Sequence, residues 1–217
     1  MRINDTLANT TRAAHDVGLA AWLGGAMFGK FAHNPSLVKI SSRPERGSVS
    51  NAAWNGYNPI NALGLGTAAL GWAAARATEA SNGNLTGRER ALSTAKDGLM
   101  ATAVLTGVLN GIQGARLADQ APDGAVPVET GTKPATETPA KAAGIQHSLA
   151  ILGNLNIASG VALVAVNAIL AQTNHGRPSM RRALRRSSSP NGRSPLWIGS
   201  GVSTAAALAD QLRRRLA

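Results

Sequence analysis

Residues 16–34 read DVGLAAWLGGAMFGKFAHN, and this stretch decides the fold because it has the composition of a membrane-spanning helix. Lys30 is the only charged residue between its first and last positions. In water, a glycine inside a helix costs about 1 kcal/mol relative to alanine, whereas in lipid it lets a neighbouring backbone approach closely. We therefore predict that Gly25 and Gly29, which have GxxxG spacing, form a helix-packing face.

The composition of the whole chain favours a membrane protein over a soluble domain. Aromatic residues make up 3% of the 217 residues, although a soluble core of this size normally relies on them for much of its buried area. The mean hydropathy of −0.05 conceals four apolar runs, because charge-rich segments offset them. The chain has no cysteine, which excludes disulfides, thiolate metal sites and cysteine nucleophiles.

We predict an all-α fold, a four-transmembrane-helix bundle with a cytoplasmic basic C-terminal tail. The membrane domain covers residues 14–175, with spans at about 14–34, 59–76, 98–115 and 147–171. A cytoplasmic segment precedes it at residues 1–13, and the tail follows at residues 176–217. The tail is expected to include an interfacial amphipathic helix between Leu196 and Leu216. No signal-peptide cleavage pattern precedes the first run, so we expect that run to be retained.

The expected connections are polar loops at residues 34–58 and 76–97 and a Pro/Thr-rich external connector at residues 117–143. The connector looks too poor in apolar residues to pack. Pro59 suits the first turn of the second span, where its missing amide hydrogen is not needed. Trp54 and Tyr57, just before it, have the position of an interfacial aromatic belt.

The basic residues predict the orientation of the bundle in its membrane. Two precede the first span, four lie between the second and third, and nine follow the fourth, whereas the two opposite connections hold four and three. By the positive-inside rule, both termini are cytoplasmic. The tail would contact anionic lipid headgroups through a cluster of four arginines, Arg181, Arg182, Arg185 and Arg186.

Two sets of polar residues are candidates for chemistry. The four histidines, His15, His33, His147 and His175, lie at span ends and would hold haem or a metal between helices if spans 1 and 4 were neighbours. Amides at lipid depth should face other helices; they are Asn61, Asn110, Asn154, Asn156 and Asn167. Interhelical hydrogen bonds are one interpretation of them, and a substrate or ion path along His147 and Asn154, seven residues apart on one face, is the other. No catalytic triad, phosphate loop or HExxH motif is present.

Three segments together suggest relatives: HDVGLAAWLGG at 15–25, NAAWNGYNPINALG at 51–64 and IQHSLAILGNLN at 145–156. They resemble a group of uncharacterised four-helix membrane proteins of high-GC Gram-positive bacteria (actinobacteria). More distantly, they are similar to four-helix families of the copper-resistance-D and anthrone-oxygenase-like type. The resemblance implies a four-helix inner-membrane bundle. It places five residues at recurring positions, where a pocket between helices 1 and 4 would form: Trp22, Gly24, Gly25, His147 and Asn154.

Our functional expectation is a non-enzymatic accessory or interaction subunit of a cell-envelope membrane complex, without a cofactor and without nucleic acid as a partner. The expected partner is another membrane protein or a second copy of the chain. Small-residue faces that pack helices motivate this expectation, and they include four glycines, Gly25, Gly29, Gly107 and Gly111. One alternative is a small membrane enzyme or carrier that uses the pocket between helices 1 and 4. A second alternative is a haem- or metal-binding membrane protein.

Overall fold

The computed structural model describes residues 3–78 and 80–175, and these are mostly helical. Four long helices carry the fold: α1, Ile3–Phe28; α2, Arg43–Ala77; α3, Gly87–Ala118; and α4, Ala140–His175. Each predicted span lies within one of these helices or their direct continuations, so the all-α class is confirmed. The predicted tail, with its arginine cluster and amphipathic helix, lies outside the described residues.

The connections are shorter than the sequence suggested. α1 continues through a π turn, Gly29–His33, a helical turn, Asn34–Ser36, and a 3-10 turn, Leu37–Lys39. The expected loop over residues 34–58 is wrong, because α2 begins at Arg43. The side chain of Ser42 caps this helix by accepting a hydrogen bond from the Glu45 amide at 3.4 Å. The expected loop over 76–97 also ends early, at a capping box formed by Thr86 and Glu89.

Pro59 therefore lies inside α2 and not at its start. A proline in a helix interior removes the hydrogen bond to the carbonyl four residues earlier, here that of Asn55. Trp54 and Tyr57 also belong to α2. The Tyr57 hydroxyl donates to the Ala21 carbonyl of α1 at 2.6 Å, so this ring faces a neighbouring helix.

The helices form two close pairs, α1 on α2 and α3 on α4. The pairs meet in one apolar core around Trp22, which is fully buried, together with Leu19, Leu65, Ala103 and Leu163. At one end of the bundle, α1 begins and α4 ends; we call this the terminal end. The opposite end holds the connections from α1 to α2 and from α3 to α4 and is called the cap end below.

The connector at residues 117–143 packs against α2, contrary to expectation. It contains a 3-10 turn, Pro122–Gly124, and an antiparallel hairpin of β1, Val128–Thr130, and β2, Lys133–Pro134. We call residues 122–138 the cap. Val126 and Val128 of the cap are buried with Ala142. A few well-placed valines thus contribute to anchoring this polar segment.

Glycines determine how closely α1 and α2 pack. A Cβ at Gly18 would lie 2.5 Å from the Gly64 carbonyl oxygen, and one at Gly64 would lie 2.9 Å from the Gly18 carbonyl oxygen. Both clashes are with backbone, which cannot rotate away. A Cβ at Gly24, by contrast, would meet nothing within 4 Å.

Gly18→Ala and Gly24→Ala should therefore change stability in opposite directions. We expect Gly18→Ala to lower the unfolding free energy by about 1–3 kcal/mol, because the methyl group forces the two helices apart. Gly24→Ala should leave it unchanged or raise it, by up to about 1 kcal/mol. Thermal unfolding of the purified protein in mild detergent measures both. Equal losses in the two variants would contradict the close backbone contact.

Candidate functional site

A groove of about 740 Å³ lies between the two helix pairs beneath the cap. Its walls come from α2 between Gly47 and Leu70, from α3 between Val104 and Ala118, and from α4 between Gln146 and Ile157. Its volume is within the usual range of about 300–1,000 Å³ for small-molecule sites. Asn58 and Leu70 line the groove and are exposed, so the groove opens to the surface of the bundle.

Amide side chains dominate the polar part of this groove. Eight of them line it: Asn34, Asn51, Asn55, Asn58, Asn61, Asn110, Gln146 and Asn156. Four are on α2 with spacings of four, three and three residues, which places them on one helical face. We call them the asparagine stripe; its members are Asn51, Asn55, Asn58 and Asn61. Sequence reasoning missed three of the four because it assigned residues 34–58 to a loop.

Lys30 is the one charged residue that lines the groove within the described part of the chain. It lies in the π turn after α1, and its ammonium group donates a hydrogen bond to Oδ1 of Asn154 on α4. No carboxylate lines the groove among the residues described. The groove is therefore weakly positive at one edge and otherwise neutral.

The cap forms the roof of the groove and is held by arginines of α2. Arg43 is within 3.2 Å of Glu129 and 2.7 Å of Glu137. Arg46 is nearly buried and donates to the carbonyls of Ile40 at 2.7 Å and Glu129 at 3.0 Å. Gly131 of the hairpin lies so close to the Asn34 side chain that a Cβ there would overlap it.

The terminal end contains a second polar region, which joins all four helices. We call it the four-helix polar cluster; its members are Asp16, Trp72, Arg76, Lys96, Asp97 and Asn167. Asn167 donates to Asp16 at 2.8 Å and accepts from the Lys96 ammonium at 2.6 Å. Lys96 is 2% exposed and lies 4.1 Å from the centroid of the Trp72 ring.

Asp97 completes this cluster. Its carboxylate accepts from the Trp72 indole at 2.8 Å and from the Arg76 guanidinium at 3.1 Å. The sequence predicts that Lys96 lies in a loop, because its apolar run begins at Gly98. The helix α3 in fact begins eleven residues earlier, at Gly87. Buried lysine is rare without partners, so the cluster accounts for its place in the core.

The predicted pocket residues are not gathered around one cavity. Trp22 is buried in the core, where it packs against Gly64 and Gly160, and its indole N–H has no hydrogen-bond partner. Gly24 and His147 are exposed, and so is Asn154 apart from its bond with Lys30. Gly25 and the neighbouring Gly29 lie against the rings of Tyr57 and Trp54, so this face meets α2 and not the fourth helix.

The histidines are equally dispersed. His15 is buried and its Nδ1 donates to the Ala68 carbonyl at 2.6 Å, while His33 contacts the edge of Trp54 with ring centroids 6.3 Å apart. The side chain of His175 lies outside the described residues. Over residues 3–78 and 80–175, no group of three or more His, Cys, Asp or Glu side chains has the geometry of a metal site.

The remaining predicted residues have varied surroundings. Gly107 lies against Leu65 of α2, with Cδ2 2.6 Å from where a Cβ would stand, whereas Gly111 faces open space in the groove. Among the five predicted membrane amides, Asn156 donates to Thr106 at 3.3 Å, Asn167 joins the polar cluster and Asn154 bonds Lys30. The other two, Asn61 and Asn110, line the groove.

The four-helix polar cluster should matter for stability. Replacing Lys96 with Met keeps its length but removes its hydrogen bond to Asn167 and its contact with Trp72. Hydrogen bonds to charged groups contribute about 1.5–3 kcal/mol, so a loss of that order is expected. Lys141→Met, at an exposed position of α4, is the control and should have little effect. If Lys96→Met unfolds at the same temperature as the unaltered chain, the cluster does not stabilise the fold.

The cap should loosen in acid and on loss of Arg43. The pKa of Glu137 is held below its ordinary value of 4.5. The largest cause is a hydrogen bond from the backbone amide of Glu137 itself, followed by one from the Thr136 hydroxyl and then by the charge of Arg43. Because folding lowers the pKa of Glu137, this carboxylate stabilises the cap fully above pH 4.5. Its contribution is lost as the pH falls through the folded-state pKa. Hydrogen-exchange protection at residues 126–134 measures this.

In that experiment, Arg43→Gln should lower protection of the cap at neutral pH, while the exposed Arg88→Gln should not. Unchanged protection in Arg43→Gln would show that the apolar contacts of Val126 and Val128 hold the cap without the ion pairs.

Comparison with known proteins provides no further assignment. No protein-family model matches the chain, and neither a curated protein nor a solved structure shows significant similarity to it.

Proposed function

We propose that this chain is an integral membrane protein of the bacterial plasma membrane whose four long helices all cross the bilayer. The observation that carries the proposal is the surface of α3 and α4. Both are long and apolar enough to cross a membrane, yet only 17% and 22% of their most apolar windows are buried in the structure. The core helix of a soluble protein would be mostly buried, so lipid is the solvent that suits these surfaces.

Support for α1 and α2 as further membrane helices is of a different kind, because among the described residues only α3 and α4 contain a stretch long and apolar enough to cross a membrane. Both nevertheless expose large apolar side chains, including Val17 and Phe28 of α1 and Leu63 and Leu70 of α2. Some of their polar residues have partners or places within the bundle, since the asparagine stripe of α2 lines the groove and Asp16 of α1 bonds Asn167 in the polar cluster. A helix with a polar inner face and an apolar outer face suits a membrane bundle.

The distribution of basic residues supports cytoplasmic termini, with the cap on the outer side. In this orientation the tail arginines, Arg181, Arg182, Arg185 and Arg186, would contact anionic lipid of the inner leaflet. The groove would then open near the outer surface of the membrane.

Within the membrane, we propose a non-enzymatic role as an accessory subunit of an envelope complex. Gly24 lies on the same outer face of α1 as Val17, Phe28 and Phe31, and open space surrounds it. Its small size is thus not needed for packing among the residues that the structure describes. Glycines on apolar helices allow close approach of another helix, which makes this face the candidate contact for a partner.

A carrier or small-molecule-binding protein is the second candidate, and the groove beneath the cap favours it. This groove differs from the pocket expected between the first and fourth helices. It is formed by α2, α3, α4 and the cap, and it does not contain Trp22 or His147.

A two-step experiment on the full chain tests the proposed function. We expect the protein to resist alkaline extraction from membranes and a reporter fused after Ala217 to be active only in the cytoplasm. In mild detergent, the protein should elute with a partner or a second copy, and Gly24→Leu should dissociate that complex.

Gly98→Leu is the matched control, since Gly98 is equally exposed and equally free of neighbours in the structure. Alkaline extraction into the soluble fraction would overturn the membrane assignment. Elution of the unaltered chain as a monomer without any partner would overturn the accessory role alone.

A further inference from the structure

Three amide oxygens on the groove wall have no hydrogen-bond partner in the structure. They are Oδ1 of Asn34, Oδ1 of Asn61 and Oε1 of Gln146, and they come from three different segments of the chain. Gln146 is 1% exposed and Asn34 is 7% exposed. Each buried polar group that stays unpaired costs about 1–3 kcal/mol, so such groups in native proteins are normally satisfied by ordered water or by a ligand.

The chemistry of the lining restricts the kind of ligand. Amide side chains both donate and accept hydrogen bonds, and so do hydroxyl groups, which makes the match independent of how each amide is oriented. No carboxylate among the described residues lines the groove to bind a cationic group, whereas Lys30 at its edge provides one positive charge. These features fit a ligand that is rich in hydroxyl groups and carries one negative charge.

The groove continues into an apolar crevice on the surface of α2 and α3. The crevice has a volume of about 700 Å³ and shares Ala69, Val104 and Val108 with the groove. Its other apolar side chains include Met100 and Leu105, the latter 61% exposed, and it is also lined by Arg76 and Asp97 of the polar cluster. A polar compartment under the cap is therefore joined to an apolar channel along the outside of the bundle.

We propose that this combined site binds a membrane lipid with a hydroxyl-rich, phosphate-bearing headgroup. The headgroup hydroxyls donate to the oxygens of Asn61 and Gln146, and the phosphate lies beside Lys30. The hydrocarbon chain occupies the crevice between α2 and α3. The proposal rests on the membrane placement given above, and it supplies a ligand class for the groove.

Lipid binding to the full chain in an uncharged detergent tests the proposal, with native mass spectrometry or thermal shift as the measurement. Phosphatidylinositol has the hydroxyl-rich head and the phosphate, and phosphatidic acid has the phosphate without the hydroxyls. Phosphatidylcholine has a zwitterionic head, in which a quaternary ammonium balances the phosphate and there are no free hydroxyls. We expect phosphatidylinositol to bind about tenfold more tightly than either of the others, a difference of about 1.4 kcal/mol.

The double variant Asn61→Leu/Gln146→Leu should lower the affinity for phosphatidylinositol by about tenfold and leave the unfolding temperature unchanged or higher. It removes two unpaired buried groups, so a merely structural role for these amides would instead lower that temperature. Gln113→Leu is the matched control, because Gln113 bonds Ser148 at the interface of α3 and α4 and lies outside the groove lining. The Gln113→Leu variant should bind phosphatidylinositol as tightly as the unaltered chain does.

Equal binding of the three lipids, or full affinity in the double variant, would overturn the proposal. If that variant fails to fold, the lipid comparison on the unaltered chain decides alone. A chain that resists alkaline extraction but shows no lipid preference disproves this inference and leaves the membrane assignment intact. Alkaline release of the chain disproves both.

Discussion

The backbone contact between Gly18 of α1 and Gly64 of α2 is the constraint on which the rest of the bundle depends. Only hydrogen atoms stand where side chains would separate these helices, so each carbonyl lies close to the opposite glycine. Because the two backbones are close, one hydrogen bond forms on each side of the glycine contact. Tyr57 donates to the Ala21 carbonyl, and His15 donates to the Ala68 carbonyl. In lipid, where apolar burial between helices contributes little, such packing and bonding must hold a helix pair together.

The second helix pair is joined to the first by two different means. Trp22 of α1 packs against Gly160 of α4 in the core, and the polar cluster around Lys96 connects all four helices at the terminal end. At the cap end, the pairs are separated by the groove and bridged by the cap, which Arg43 and Arg46 hold to α2. The position of the groove therefore follows from where the two pairs do and do not touch.

The number and approximate places of the four helices were predictable from the apolar runs, because length and composition alone specify them. The start of α2 was not, since Pro44, Glu45 and the nearby charges suggested a loop although they follow a capping serine and form a first helical turn. That one error hid the asparagine stripe, whose spacing is visible only once residues 43–58 are treated as helical. The packing of the cap depends on the tertiary positions of Val126 and Val128, which no local pattern specifies. Trp22 is buried in the core, and the groove contains none of the five residues predicted to form a pocket.

The two polar regions differ in how fully their hydrogen bonds are satisfied, and this difference separates a structural role from a binding role. In the four-helix polar cluster, each of the six side chains has a partner in another member, so the cluster is complete without a ligand. In the groove, the acceptor oxygens of Asn61 and Gln146 have no partner among the described residues, although Gln146 is almost fully buried. A bundle held together by amides alone would pair them with each other, as Asn156 pairs with Thr106. The unpaired oxygens beneath the cap are therefore better explained by an occupant that brings its own donors.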